Sequence, residues 1–119
     1  MKNKPFSQRF CFAIQGVLSA WKSESSFRTQ VYLGVGAIAV LFYLQPEPVW
    51  WALIILIIGS VLAAELLNTA LEKTLDLLHP EEHSLIALAK DCAAGAVLVL
   101  SFSALGILLA LIYDSWSTG

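Results

Sequence analysis

Charge is scarce in this chain: of 119 residues only 13% are Asp, Glu, Lys or Arg, where a water-soluble domain carries about 25%. Hydrophobic residues reach 58% and the mean hydropathy is +0.75, so the apolar excess must face something other than water. The length allows one domain and rules out a large soluble α/β enzyme. An arginine-rich patch and zinc-finger spacing are both missing, and the net charge is −2, which sets nucleic acid aside. Cysteine is limited to Cys11 and Cys92, too far apart for a CxxC pair and too few for a disulfide framework, so two free thiols are expected. The opening MKNKPFSQRFCF has no continuous apolar run and no small-residue cleavage site, and a cleaved signal peptide is not expected. Neither a GxxxxGK[ST] loop nor a protein-kinase signature set occurs. No internal repeat suggests a duplicated transporter.

What the chain does have is three long stretches without charge. Thr29–Pro46 runs 18 residues, Pro48–Ala64 runs 17 and Cys92–Tyr113 runs 22, against the roughly 20 needed to cross a bilayer as helix. The separator Gln45–Pro48 holds two prolines and one acid, a turn between antiparallel helices. The fold expected is an all-α membrane protein in a single domain over 1–119. It comprises a surface helix over 6–22, a first span over 28–45, a second over 48–78 with a cytoplasmic extension, and a third over 89–113. On the first helix Phe6, Phe10, Ala13, Ile14, Val17 and Trp21 share an arc of about 100° at helical pitch. Gln8, Gln15, Ser19 and Lys22 lie opposite. That pattern suits a helix lying in the membrane interface, or one packed on other protein. Ser23–Ser26 is expected as a polar hinge into the first span.

All seven Lys and Arg residues lie before the first span or around the second loop, and none is in the Gln45–Pro48 turn or after Tyr113. The positive-inside rule therefore puts the N-terminus and an expected 79–91 loop in the cytoplasm, with the C-terminus outside.

Glu65 follows 16 uncharged residues, Val49–Ala64, and precedes two leucines, so an ionisable group is expected near the cytoplasmic membrane boundary. Such residues are functional by default. At helical pitch Glu65, Asn68, Thr69, Glu72 and Asp76 share one stripe on an otherwise apolar helix. Carboxylates at i, i+7 and i+11 repel one another unless a cation or basic group neutralises them. The oxygen-only set suits Mg²⁺, which takes one or two carboxylates plus phosphate oxygens and water. A solvated acidic helix end is the plain alternative and weighs most at Asp76. His79 and His83 are four residues apart with Pro80 between them, and a zinc site is not expected there. Lys90–Asp91 precedes the third span. Lys90 could be a snorkelling anchor, but beside a carboxylate stripe a phosphate-binding role is favoured. Glu24, the only acid before the first span, could simply serve the helix N-terminus.

Ala64–Glu72, AELLNTALE, resembles the E-x-x-N-[ST]-A-x-E signature of the prokaryotic diacylglycerol kinase family, which includes undecaprenol kinases. The resemblance extends through Asp76, His79–Leu98 and the upstream AWKSESSFR of Ala20–Arg28. It implies a small integral-membrane lipid kinase of the bacterial inner membrane that uses ATP and Mg²⁺ and works as a homotrimer with sites shared between protomers. By the same resemblance Glu65 is the catalytic glutamate and Asn68 the motif asparagine beside the reacting groups. Glu24 and Glu72 are the metal-binding glutamates. ATP contacts fall on Glu24, Glu72, Asp76, Glu81, Glu82, His83, Lys90 and Asp91, and lipid contacts on Arg28, Thr29, Gln30, Glu65 and Ala94. Diacylglycerol kinases often read F-R-Q-E where this chain has Phe27–Arg28–Thr29–Gln30, so an amide replaces an acid. The family's early surface-helix arginine falls on Pro5, with Arg9 one turn later.

The expected reaction is phosphorylation of diacylglycerol, with undecaprenol as the same-class alternative; a small cation carrier and a non-catalytic scaffold rank below both. Undecaprenol needs a groove along the helices. Small residues such as Gly34, Gly36, Ala93, Ala94, Gly95, Ala96 and Gly106 more often serve helix packing, so no distinctive groove is expected.

Overall fold

A computed structural model describes residues 2–118 as four helices: α1 (Phe6–Ser23), α2 (Ser25–Leu44), α3 (Pro48–Leu78) and α4 (Ser84–Thr118). There is no strand among the described residues. Helices α2, α3 and α4 are each long and apolar enough to cross a membrane. At 1.5 Å per residue the 31 residues of α3 span about 46 Å, well beyond a hydrocarbon core of about 30 Å. The helix is therefore longer than one crossing requires, and its last turns carry Glu72 and Asp76.

Local chemistry sets the breaks. Pro5 precedes α1, and Glu24 adopts an extended backbone (φ −115, ψ 107) that closes α1 and opens α2. The expected hinge of Ser23–Ser26 thus narrows to Glu24 alone. The Arg28 guanidinium makes so sharp a break tolerable. Its Nη1 donates to the carbonyls of Trp21 at 2.6 Å and Lys22 at 3.2 Å, satisfying acceptors that the end of α1 leaves open. At the opposite end Gln45 closes α2 in the left-handed region (φ 47, ψ 55), and its Nε2 donates back to Phe42 O at 2.9 Å. Pro46 forbids further helix, and Pro48 starts α3 at a position where its missing N–H costs nothing.

The expected 79–91 loop is a second difference. Only His79–His83 lies outside helix, and α4 starts at Ser84. His83 makes the early start possible: its Nδ1 accepts the Leu85 N–H at 3.1 Å, as an N-cap side chain does. The following Leu, Ala and Lys residues are strong helix formers.

Helix α4 packs most extensively on α3, and α2 packs on α3 from another side. Leu41, Ile54 and Leu111 form the buried core near the Gln45–Glu47 turn, where Phe42 and Trp51 meet edge to face at 5.0 Å. Elsewhere the exterior is apolar and open, with Leu67 at 72% and Phe102 at 65% exposure, as expected of a lipid-facing surface. Along α1 only Ala20 is buried, and residues 6–19 are exposed. The helix touches the bundle at its C-terminal end, where Trp21 meets Tyr32 edge to face at 5.6 Å. The apolar arc of α1 is not covered by this chain, which leaves it to the membrane interface or to other protein.

Candidate active site

Glu65 is the one buried charged residue among those described, at 4% exposure. Its helix carries it to the depth where α1 turns into α2. There Ser26 Oγ donates to Glu65 Oε2 at 3.1 Å, leaving the other carboxylate oxygen available. One turn along α3, Asn68 Oδ1 is buried and has no hydrogen-bond partner. A buried acceptor without a donor costs about 1–3 kcal/mol, and such groups call for an explanation.

Glu24 faces the same stripe. Thr69 Oγ1 donates to Glu24 Oε1 at 3.5 Å; Glu24 is also the N-cap residue of α2 but makes no side-chain cap hydrogen bond there. Glu72 is half-buried on the face of α3 that carries Thr69, three residues further on, where side chains are neighbours. Glu24, in the break between α1 and α2, and Glu72, on α3, therefore lie on either side of Thr69. No group of three or more His, Cys, Asp or Glu side chains able to hold a metal occurs among the described residues. A pair of carboxylates with oxygen donors only nonetheless fits Mg²⁺, because phosphate and water supply the rest of its shell.

A second cluster lies where α3 and α4 meet. Lys90 Nζ pairs with Asp76 Oδ1 at 2.5 Å, so Lys90 is braced by the acid stripe and is not a free anchor. Both line a cavity of about 490 Å³ with His79, Glu81, Glu82 and His83. The loop is stiffened from within: His79 Nδ1–H donates to Glu81 O at 2.8 Å, and the two imidazoles meet edge to face at 5.6 Å. Glu65 and Asp76 are eleven residues apart on one stripe, about 16 Å along the helix. The length of an extended nucleoside triphosphate is of this order.

Other expected site residues stand differently. Arg28 is committed to the end of α1, as described above. Thr29 Oγ1 donates to Ser25 O at 3.0 Å and is exposed, as are Asp91 and Ala94. Gln30 Nε2 donates to Ser101 Oγ at 3.2 Å, joining α2 to α4. Ser26 and Ser101 are absent from the sequence-based candidates. Their partners lie 39 and 71 residues away, beyond the reach of helical spacing.

The structure also contains the groove that the sequence was not expected to build. About 420 Å³ in volume, it runs between α2, α3 and α4 below Glu65, and its walls include Gln30, Gly36, Ala37, Val61, Ser101 and Leu105. Its glycines play different parts. A Cβ on Gly34 would sit 3.0 Å from Ile58 Cγ2, whereas one on Gly36 would meet nothing within 4 Å. Gly34 lets α2 approach α3, and Gly36 leaves space open.

Comparison with known proteins agrees with the motif. The prokaryotic diacylglycerol kinase family matches residues 11–112. An undecaprenol kinase of Bacillus subtilis is 34% identical over 96 residues, covering 81% of this chain and 78% of the relative. A diacylglycerol kinase of Synechocystis is 40% identical over 96 residues, covering 80% of this chain and 55% of the relative. One from Haemophilus influenzae is 34% identical over 88 residues, covering 74% and 75%.

Proposed function

The chain belongs to the prokaryotic diacylglycerol kinase family, and on that premise we propose that it transfers the γ-phosphoryl group of ATP to the hydroxyl of diacylglycerol, forming phosphatidic acid at the cytoplasmic face of a bacterial inner membrane. The observation that carries this reading is the buried Glu65 carboxylate at the membrane boundary, held on one side by Ser26.

A lipid hydroxyl resides at the interface, so it meets the protein at Glu65's depth. The free carboxylate oxygen takes the hydroxyl proton as the hydroxyl oxygen attacks the γ-phosphorus and the bond to the β–γ bridging oxygen breaks, releasing ADP; this is general-base catalysis. Ser26 keeps the other oxygen occupied and the carboxylate in one orientation. The orphaned Asn68 Oδ1, one turn away, suits a centre where a hydroxyl proton arrives. Glu24 and Glu72 would hold Mg²⁺, which when bound neutralises phosphate oxygens. Lys90, aimed by Asp76, offsets charge on the phosphates, since positioning and electrostatics dominate phosphoryl transfer. The cavity at the α3–α4 turn takes the nucleotide, with Glu81, Glu82 and His83 on its wall and Asp91 beside Lys90. The working form would be a homotrimer with sites shared between protomers, as the family resemblance implies.

Undecaprenol is the second reading, favoured by the undecaprenol kinase among the relatives. The test is labelled ATP with the purified protein and diacylglycerol, undecaprenol or ceramide in mixed micelles. Labelled phosphatidic acid is the expected product. A ten-fold or greater preference for undecaprenol in kcat/KM reverses the lipid assignment, and no labelled lipid at all removes the kinase reading.

A further inference from the structure

Gln30 and Ser101 are polar side chains facing a groove inside the spans whose other walls are apolar apart from Tyr32, and polar groups at such depth are expensive unless they are used. Their mutual hydrogen bond at 3.2 Å uses only part of what they offer. Gln30 retains a second amide N–H, and Ser101 accepts in that bond, so its own O–H proton remains. Among the described residues no other hydrogen bond engages either side chain. The contrast with nearby serines is informative: Ser60 and Ser103 donate to the carbonyls of Leu56 and Val99, at 2.8 and 3.0 Å, the back-bond that serines in helices commonly make. Ser101 makes none. Two donors are thus left available at the mouth of the groove.

Their depth is defined. Gln30 follows Ser26 by four residues on the same face of α2, about 6 Å deeper along the helix. On α3, Val61 of the groove wall precedes Glu65 by the same step. In a glycerol diester the ester carbonyl oxygen next to the free hydroxyl is only a few bonds away, roughly 4–6 Å at standard bond lengths. A hydroxyl at Glu65 therefore puts that carbonyl at the level of Gln30 and of Ser101 bonded to it, where the groove offers space for an acyl chain. A polyprenol has no polar group at that depth.

We propose that Gln30 and Ser101 form an ester-reading pair, donating hydrogen bonds to the carbonyl of a glycerol ester whose acyl chain lies in the α2–α3–α4 groove. This rests on the lipid kinase reading above and adds a recognition element to it.

The experiment compares a dioleoylglycerol diester with the dioleyl diether, which keeps the hydroxyl and chains but lacks carbonyls, at equal mole fraction with labelled ATP. The wild-type protein is expected to favour the diester about ten-fold in kcat/KM. Gln30→Met and Ser101→Ala are each expected to bring the ester-to-ether ratio close to one. Both lipids are measured on the same preparation, so partial misfolding cancels from the ratio, and a merely structural Gln30–Ser101 bond would leave it unchanged. A wild-type ratio near one overturns the pair, as does a ratio that survives both substitutions; either result would fit a groove filled by a second copy's helix. Turnover of a polyprenol but neither glycerolipid also overturns the pair while leaving the kinase reading intact. Absence of phosphoryl transfer to every lipid removes the underlying reading itself.

Discussion

Replacing Glu65 by Gln isolates the chemistry of one carboxylate with little change in shape. The residue is 4% exposed and bonded through Oε2 to Ser26, and glutamine preserves both the volume and an oxygen to accept that bond. It removes the negative charge and the ability to take a proton. A positioned general base contributes about 10²–10⁴ in rate, equivalent to about 2.7–5.4 kcal/mol of transition-state stabilisation. The expected result is a fall of that size in kcat with KM for Mg·ATP changed only a few-fold, because the nucleotide cluster around Asp76 and Lys90 lies about 16 Å away along α3. Folding should hold, since a neutral amide is less costly to bury than a carboxylate. The assay is initial-rate phosphorylation in mixed micelles at saturating lipid, with nucleotide affinity measured separately on the same preparations. A kcat within about five-fold of the parent would refute the base assignment, and so would a loss expressed only in KM.

Further outcomes follow from the same geometry. Glu24→Gln and Glu72→Gln should each raise the Mg²⁺ concentration needed for half-maximal rate; coexpressing the two should recover some activity if sites are shared between protomers, and hybrid assemblies without any recovery would count against sharing. The Asp76–Lys90 pair is 64% and 34% exposed, so its coupling in a double-mutant cycle on unfolding should stay below about 1 kcal/mol, while Lys90→Met should raise KM for ATP; coupling above about 2 kcal/mol would make the pair a structural strut. Gly34→Val should destabilise by about 1–3 kcal/mol through overpacking, because its Cβ would meet Ile58 Cγ2 at 3.0 Å, and Ile58→Ala should restore part of the loss in denaturation from detergent. No such loss in the single variant would mean that α2 and α3 can separate freely at that point.

The order of the helices, their lipid-facing character and the carboxylate stripe were all legible in the residues alone. Each depends on short-range regularity: uninterrupted apolar runs long enough to span a bilayer, prolines at the Gln45–Pro48 turn, and a helical pitch that puts Glu65, Asn68, Thr69, Glu72 and Asp76 on one face. The short form of the second loop was less visible, because the N-cap bond from Leu85 to His83 depends on a ring orientation rather than on residue type. Only the tertiary structure decided what each stripe faces. Ser26 meets Glu65 across 39 residues, Thr69 meets Glu24 across 45, and Gln30 meets Ser101 across 71. The groove belongs to the same class of feature. Gly34 and Gly36 are alike in sequence, but one is closed by Ile58 and the other opens onto empty space. Periodicity fixes direction around a single helix axis, whereas contact between helices depends on their relative rotation and approach, which arise from packing the whole bundle at once.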